Sequence, residues 1–219
     1  MSNHCDTVDC ILASQSPRRR ELLAGTGLSF RILIPDIEEI PARGETAKAF
    51  ARRAAREKAQ AVAARCGRPA KGQRRLIIAC DTVVAIGETI LGKPRNEQEA
   101  ANMLQRLSGR EHAVLSGLCV LKLPARGRVV RKYRLVRTRV CFRTLDPNEI
   151  HAYASSGEPL DKAGAYAIQG GAAGMVRWIR GSYTNVVGLP LAETIEALRA
   201  FGLALPGRRR STTLARETS

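Results

Sequence analysis

The stretch Ser14-Gln15-Ser16-Pro17-Arg18-Arg19-Arg20 sets two hydroxyls and three guanidinium groups at one junction of the chain. Apolar residues Cys10–Ala13 precede it and Glu21-Leu22-Leu23 follows. Ser16 suits a helix N-cap, and Pro17 suits the first helical position, where its missing N–H has no partner to lose. Backbone N–H groups and the positive end of the helix dipole would then point at whatever lies beyond the strand. Positive side chains at a helix start oppose that dipole, so the cluster calls for an anion, most simply a phosphate chain. The plainer reading is a surface helix with a basic first turn.

Three further positions carry chemistry. Lys58 falls on the same helical stripe as Ala47, Phe50, Ala51, Ala54, Ala61 and Val62, the side expected to face inward. A buried ammonium needs a partner, or the side chain must snorkel out. Asp81 ends the apolar run Leu76-Ile77-Ile78-Ala79-Cys80. A carboxylate there can hold Mg²⁺ or take a proton from water, or simply cap a turn. Glu38 and Glu39 are adjacent carboxylates in a loop, a pattern that is usually just solvated. Two carboxylate sites beside several cations are nevertheless what metal-assisted attack on a phosphate requires.

The elements that must position these groups follow from periodicity and breakers. Strands are expected at Cys10–Ser14, Ser29–Ile34, Arg75–Ile86 (one bent strand or a pair), Glu111–Leu123, Arg128–Leu145 and Met175–Ile179. Helices are expected at Pro17–Ala24, Thr46–Arg65, Asn96–Leu107, Asp146–Ser156 and Leu189–Phe201. Gly87-Glu88 reads as a hairpin turn, Leu91-Gly92-Lys93-Pro94 as a loop, and Gly157–Gly174 as irregular. Strands and helices mix without strict alternation, which predicts an α/β or α+β fold with a mixed sheet. The boundaries expected are a disordered leader at 1–9, one domain over 10–206 and a disordered basic tail at 207–219.

Net charge is +16 over 219 residues, and it is unevenly spread. From Lys122 to Arg143 there are nine basic residues and no acidic one. Such a surface draws nucleotides, nucleic acid or acidic lipid, and charge alone does not separate them. Only 4% of residues are aromatic, which argues against base stacking on an open platform. The six cysteines form no C-x-x-C pair, and three lie in apolar runs, as in a reduced compartment. Neither a secretory leader nor an 18-residue apolar span is present, so a soluble cytoplasmic protein without membrane contact is expected. There is no G-x-x-x-x-G-K-[ST], no G-x-G-x-x-G after a strand, no H-E-x-x-H and no zinc spacing, and Gly27-Leu28-Ser29-Phe30-Arg31 lacks the second glycine of a nucleophile elbow.

Taken in order, several blocks resemble the Maf family of septum-formation-type nucleoside-triphosphate pyrophosphatases. They are Leu12–Arg19, Arg56-Glu57-Lys58-Ala59, Ala79–Val84, Leu91-Gly92-Lys93-Pro94, Leu107-Ser108-Gly109-Arg110, Ser156–Gly170 and Gly188-Leu189-Pro190-Leu191. The resemblance spans about residues 10 to 203. It implies an ITPase-like α/β fold, an elongated mixed sheet flanked by helices with a cleft between two lobes. It implies hydrolysis of a nucleoside triphosphate to the monophosphate and pyrophosphate, with a divalent cation (Mg²⁺, Mn²⁺ or Co²⁺) as cofactor. It assigns phosphate contacts to Ser14, Arg18, Arg19, Lys58 and Lys93, makes Asp81 the general base or a metal carboxylate, and adds Glu39 as a supporting metal carboxylate. Thr82 and Gln169 match positions linked to base selection, and the block ending Ile168-Gln169-Gly170 is similar to the branch acting on dTTP and UTP. A Gln amide offers both a donor and an acceptor to the O and N–H edge of those bases. Ala167 departs from the Gly common before Ile-Gln-Gly, Arg20 extends the Arg pair, and the two ends lie outside the family core. The resemblance leaves room for a homodimer. The rival reading is a basic nucleic-acid-binding or regulatory module that uses the cleft for binding only; a nonspecific nucleic-acid contact through the tail is compatible with either.

Overall fold

The structure is a computed structural model and describes residues 7–203 and 205. Seven strands form one mixed sheet in the order β2-β1-β3-β5-β6-β7, with β4 joined to β3 alone. They are β1 (Thr7–Ala13), β2 (Arg31–Ile32), β3 (Gln73–Ile86), β4 (Thr89–Leu91), β5 (Glu111–Pro124), β6 (Val130–Phe142) and β7 (Val176–Arg180). β1 runs parallel to β2 and β3, and every other pairing is antiparallel. β3 and β5 are each 14 residues long, so the sheet extends about 45 Å along them.

Alternation along the strands sorts the helices onto two faces. Ile77 and Ala79 of β3 pack, with Ile11 and Ala13 of β1, under α2 (Ala47–Cys66). Leu76, Ile78 and Cys80 face the opposite way, toward α1 (Pro17–Ala24) and α6 (Leu191–Ala200). Farther along that second face, Val84, Val114, Val140 and Phe142 meet α3 (Glu97–Leu107) and α4 (Pro147–Ala154). Two groups of helices thus stand on one face with a cleft between them. α2 can lie close because β5 carries Gly117 beneath it: a Cβ there would sit 2.0 Å from the Ala51 carbonyl oxygen.

Several expectations are corrected. The strand expected over Ser29–Ile34 is only Arg31–Ile32, because it lies at the sheet edge with one neighbour while Leu28 and Phe30 pack sideways into the α1–α6 core. Thr7–Asp9 are strand rather than leader: Val8 packs on that same core, and the Asp9 carboxylate is held by Arg31 at 2.6 Å and Arg75 at 2.7 Å. Arg75–Ile86 is part of one continuous strand that turns at Gly87-Glu88 into the short β4. The inward stripe of α2 carries Ala55 and Ala59 in place of Ala61, which is half-buried. The final helix forms as expected, over Leu191–Ala200, and a short helix not expected from the sequence, α5 (Tyr183–Val187), precedes it and ends at Gly188, at φ 131°. Gly157–Gly174 contains short 3₁₀ turns over Glu158–Asp161 and Ala163–Ala165, and a third begins at Gly171. The tail expected from residue 207 and residues 1–6 of the leader lie outside the described residues.

Candidate active site

The register of β3 creates the site. On one edge β3 pairs with β1 as far as Ala79, where β1 ends at Ala13, and with β4 only from Val84 onward. Between those points its edge faces a gap, and Asp81 and Thr82 stand in it. Ser14 follows the end of β1 and leads into α1. The resulting cleft holds about 590 Å³ and is lined by all nine residues singled out from the sequence: Ser14, Arg18, Arg19, Glu39, Lys58, Asp81, Thr82, Lys93 and Gln169. Arg20 is exposed and takes no part in the lining.

The arginines do different work. Arg19 is buried, and its Nε donates to the Gly188 carbonyl at 2.7 Å. Its two terminal nitrogens donate to Ser14 Oγ and Thr82 Oγ1, each at 3.3 Å. Thr82 Oγ1 also lies 2.8 Å from Ser116 Oγ and 3.2 Å from the Gly188 carbonyl. Its hydroxyl is therefore tied into the brace that fixes Arg19. Arg18 stands at the rim, with Asp161 across the cleft at 3.9 Å. Ser16 occupies the N-cap position of α1 without a side-chain cap bond. Its N–H instead donates to Ser14 Oγ at 3.1 Å, because Ser14 is buried beneath the turn.

Lys58 does not snorkel. Its ammonium is buried and sits 2.6 Å from Asp81 Oδ1 and 2.7 Å from Glu39 Oε2. Burial pushes the Asp81 carboxyl above the usual range, against the pull of Lys58 and Arg19, while the charge of Glu39 adds to the rise. Burial also works to raise Glu39, but Lys58 outweighs it and holds that group below its ordinary value. One carboxylate of the pair is thus the more basic, which is what proton acceptance asks for.

Among the described residues no three His, Cys, Asp or Glu side chains cluster as a metal cage. Glu39 and Asp81 are oxygen donors spaced around one cation position, which Lys58 fills. Mg²⁺ is commonly held by one or two carboxylates completed by substrate phosphates and water, and this pair fits that pattern.

The far wall carries the Gln169 loop. The Tyr153 hydroxyl accepts from the Ala167 N–H at 3.0 Å, and Glu158 Oε2 accepts from the Gly171 N–H at 2.9 Å. These bonds pin the loop from both ends and leave Gln169 exposed to the cleft. Lys93, on the loop after β4, is exposed at the cleft wall. Sequence reasoning gave no role to Lys162, Tyr166, Ser116 or the Gly188 carbonyl. Lys162 lines the cleft and donates to the Glu158 carbonyl at 2.9 Å and to the Asp161 carboxylate. Lys162 and Gly188 lay inside recognisable blocks, but nothing in a linear motif shows that a backbone oxygen will receive an arginine 169 positions away.

Fold and cleft together define an α/β protein with a cationic cleft at the open end of a parallel strand, built around a buried Lys58–Asp81 pair that the exposed Glu39 joins from the cleft side. The chain belongs to the family of Maf-like proteins, whose family model matches residues 9–201. It is 49% identical over 205 residues to a dTTP/UTP pyrophosphatase of Myxococcus xanthus, covering 94% of this chain and 98% of the relative. It is 48% identical over 192 residues to a dTTP/UTP pyrophosphatase of Geobacter sulfurreducens, covering 88% and 96%. It also aligns with a solved nucleoside-triphosphatase / dITP/XTP pyrophosphatase from Mycobacterium abscessus at 16% identity and TM-score 0.37, over 88% of this chain and 97% of that one.

Proposed function

We propose that the protein is a nucleoside-triphosphate pyrophosphatase acting on dTTP and UTP. The observation that carries the reading is the buried Asp81, made more basic by its surroundings and set in a cleft beside Lys58, Arg18, Arg19 and Lys93. The triphosphate lies along these cations, with Ser14 Oγ and the start of α1 as further contacts. Asp81 takes a proton from a water whose oxygen bonds to the α-phosphorus. The bond from that phosphorus to the α–β bridging oxygen breaks, and pyrophosphate leaves. Charge that develops on the leaving group is offset by the preorganised guanidinium and ammonium groups. Glu39 and Asp81 are the residues that would hold a divalent cation, which when bound polarises the phosphate oxygens. Gln169 offers both halves of its amide to a pyrimidine edge, at the wall that Ala167 also lines. A cytoplasmic setting accords with the free thiols of the five described cysteines.

Asp81→Asn should keep dTTP binding and lose turnover, read as pyrophosphate release; near-normal turnover would remove Asp81 from its role. Gln169→Ala should flatten the ranking among dTTP, UTP, CTP and GTP more than it weakens overall binding. An unchanged ranking would place base selection elsewhere.

A further inference from the structure

The face of β6 and β7 on the α2 side carries chemistry that triphosphate hydrolysis does not use. Val140 and Ile179 point into the core under α3 and α4. Alternation then puts Arg131, Tyr133, Arg137 and Arg139 of β6, with Trp178 and Arg180 of β7, on the other face. Arg131, Tyr133, Arg137, Trp178 and Arg180 are all exposed there. β7 pairs with β6 only from Arg139 onward, so the preceding half of β6 is an open sheet edge.

Two features of this face work against the fold taken alone. Arg139 and Arg180 stand directly opposite in register, a like-charge pair that destabilises a sheet. Glu111 meets Arg139 at 2.6 Å, and no ion pair joins Arg180 to an acidic side chain among the described residues. The chain has nine Phe, Tyr and Trp residues, and most are buried or half-buried. Among the described residues the exposed aromatic rings are Tyr133, Trp178 and Tyr183, and two of the three lie here among arginines. The Arg139 guanidinium is 5.9 Å from the Trp178 ring centre. From Tyr133 to Cys141, the register partner of Trp178, the strand covers about 27 Å.

We propose that this face is a binding platform for single-stranded nucleic acid, distinct from the catalytic cleft. Bases stack on Trp178 and Tyr133, and phosphates lie along Arg131, Arg137 and Arg180. Exposed rings set between guanidinium groups suit unpaired bases, which a duplex does not present. A second copy of the same face would meet it with like charge. The low aromatic content that argued against such a platform is offset by where those few rings are placed.

Trp178 is the sole tryptophan, so its fluorescence reports the site directly. Adding an oligothymidylate of about 15 nucleotides to the full chain should quench that emission to saturation, while dTTP at equal phosphate concentration should not. Tyr133→Ala should weaken binding roughly 5- to 150-fold. The double variant Arg131→Glu/Arg137→Glu should flatten the log–log salt slope by at least about 1.4. All variants should keep wild-type dTTP hydrolysis, so the platform can fail while the hydrolase reading stands, and the reverse. Absent quenching overturns the proposal. So does oligonucleotide binding, read by anisotropy, that these substitutions leave unchanged. Binding of Trp178 to phosphatidylserine vesicles but not to the oligonucleotide would overturn it in favour of a membrane surface. Burial of Trp178 in a dimer, seen by sedimentation, would overturn it in favour of self-association.

Discussion

Replacing Gly117 with Ala probes the contact on which the buried cluster depends. Gly117 pairs in register with Asp81, and α2 crosses directly above it. The added Cβ would lie 2.0 Å from the Ala51 oxygen and 2.5 Å from its carbon, both backbone atoms that no rotamer change can move. Restoring ordinary contact requires α2 to rise by at least about 1 Å, which is overpacking of a kind that typically costs about 1–3 kcal/mol. Lys58 lies two turns along the same helix, and its bonds to Asp81 and Glu39 are 2.6 and 2.7 Å. Lifting the ammonium by that much leaves the buried Asp81 carboxylate under-compensated, and breaking a buried pair costs about 3–5 kcal/mol. A loss of at least about 3 kcal/mol lowers the melting temperature of a chain this size by roughly 6–12 °C. Displacement of a catalytic group by about 1 Å can cost about 100-fold in turnover. Differential scanning fluorimetry and pyrophosphate release from dTTP measure the two effects. Gly174→Ala is the control, since nothing lies within 4 Å of a Cβ there. If Gly117→Ala melts within 2 °C of that control, or turns over as fast, then neither the close approach of α2 nor its coupling to the cluster is real.

Lys58→Met should destabilise the protein by about 3–5 kcal/mol, and adding Asp81→Asn should recover part of the loss because one stranded charge is gone. Strictly additive losses in urea titrations would refute the ion-pair account. His112 is buried against Tyr166 and Phe142, its Nε2 lies 2.9 Å from the Tyr166 hydroxyl, and its Nδ1 has no partner among the described residues. Burial pushes its pKa down to about 4. The unfolded chain therefore takes up this proton first as pH falls. Stability from this group is complete above about pH 6.5 and drains away toward pH 4, by about 3 kcal/mol in all. Unfolding free energies at pH 7 and pH 5 should differ less in His112→Leu than in the parent; an equal difference would assign the acid sensitivity to other groups.

Much of the site was legible because its chemistry comes from short, dense blocks. A carboxylate at the end of an apolar run, a lysine on an alanine-rich face and arginines after a strand each break a local pattern, and a broken pattern can be seen without coordinates. What each group touches was not legible. Lys58 read equally as a phosphate ligand or a snorkelling side chain, and its two carboxylate partners come from a loop and a strand about 20 residues away on either side. Arg18 and Arg19 looked equivalent, yet one is a rim cation and the other a buried brace. The difference comes from the α5–α6 turn, whose Gly188 carbonyl faces only the second. The length of β2 was overestimated because strand propensity says nothing about having a neighbour on one side only.

By itself, the sequence determined which groups could act on a phosphate, that a mixed α/β sheet must carry them, and how positive the surface would be. These follow from side-chain chemistry and from hydrophobic period, both local properties. Only the tertiary structure decided that β1 stops at Ala13 while β3 runs on, which opens the gap for Asp81, and that Gly117 lets α2 approach closely enough for Lys58 to reach it. Only the structure gathered Tyr133, Trp178 and the arginines of β6 and β7 onto one face. Register and close approach depend on residues far apart in the chain meeting at fixed distances, and no local pattern encodes them.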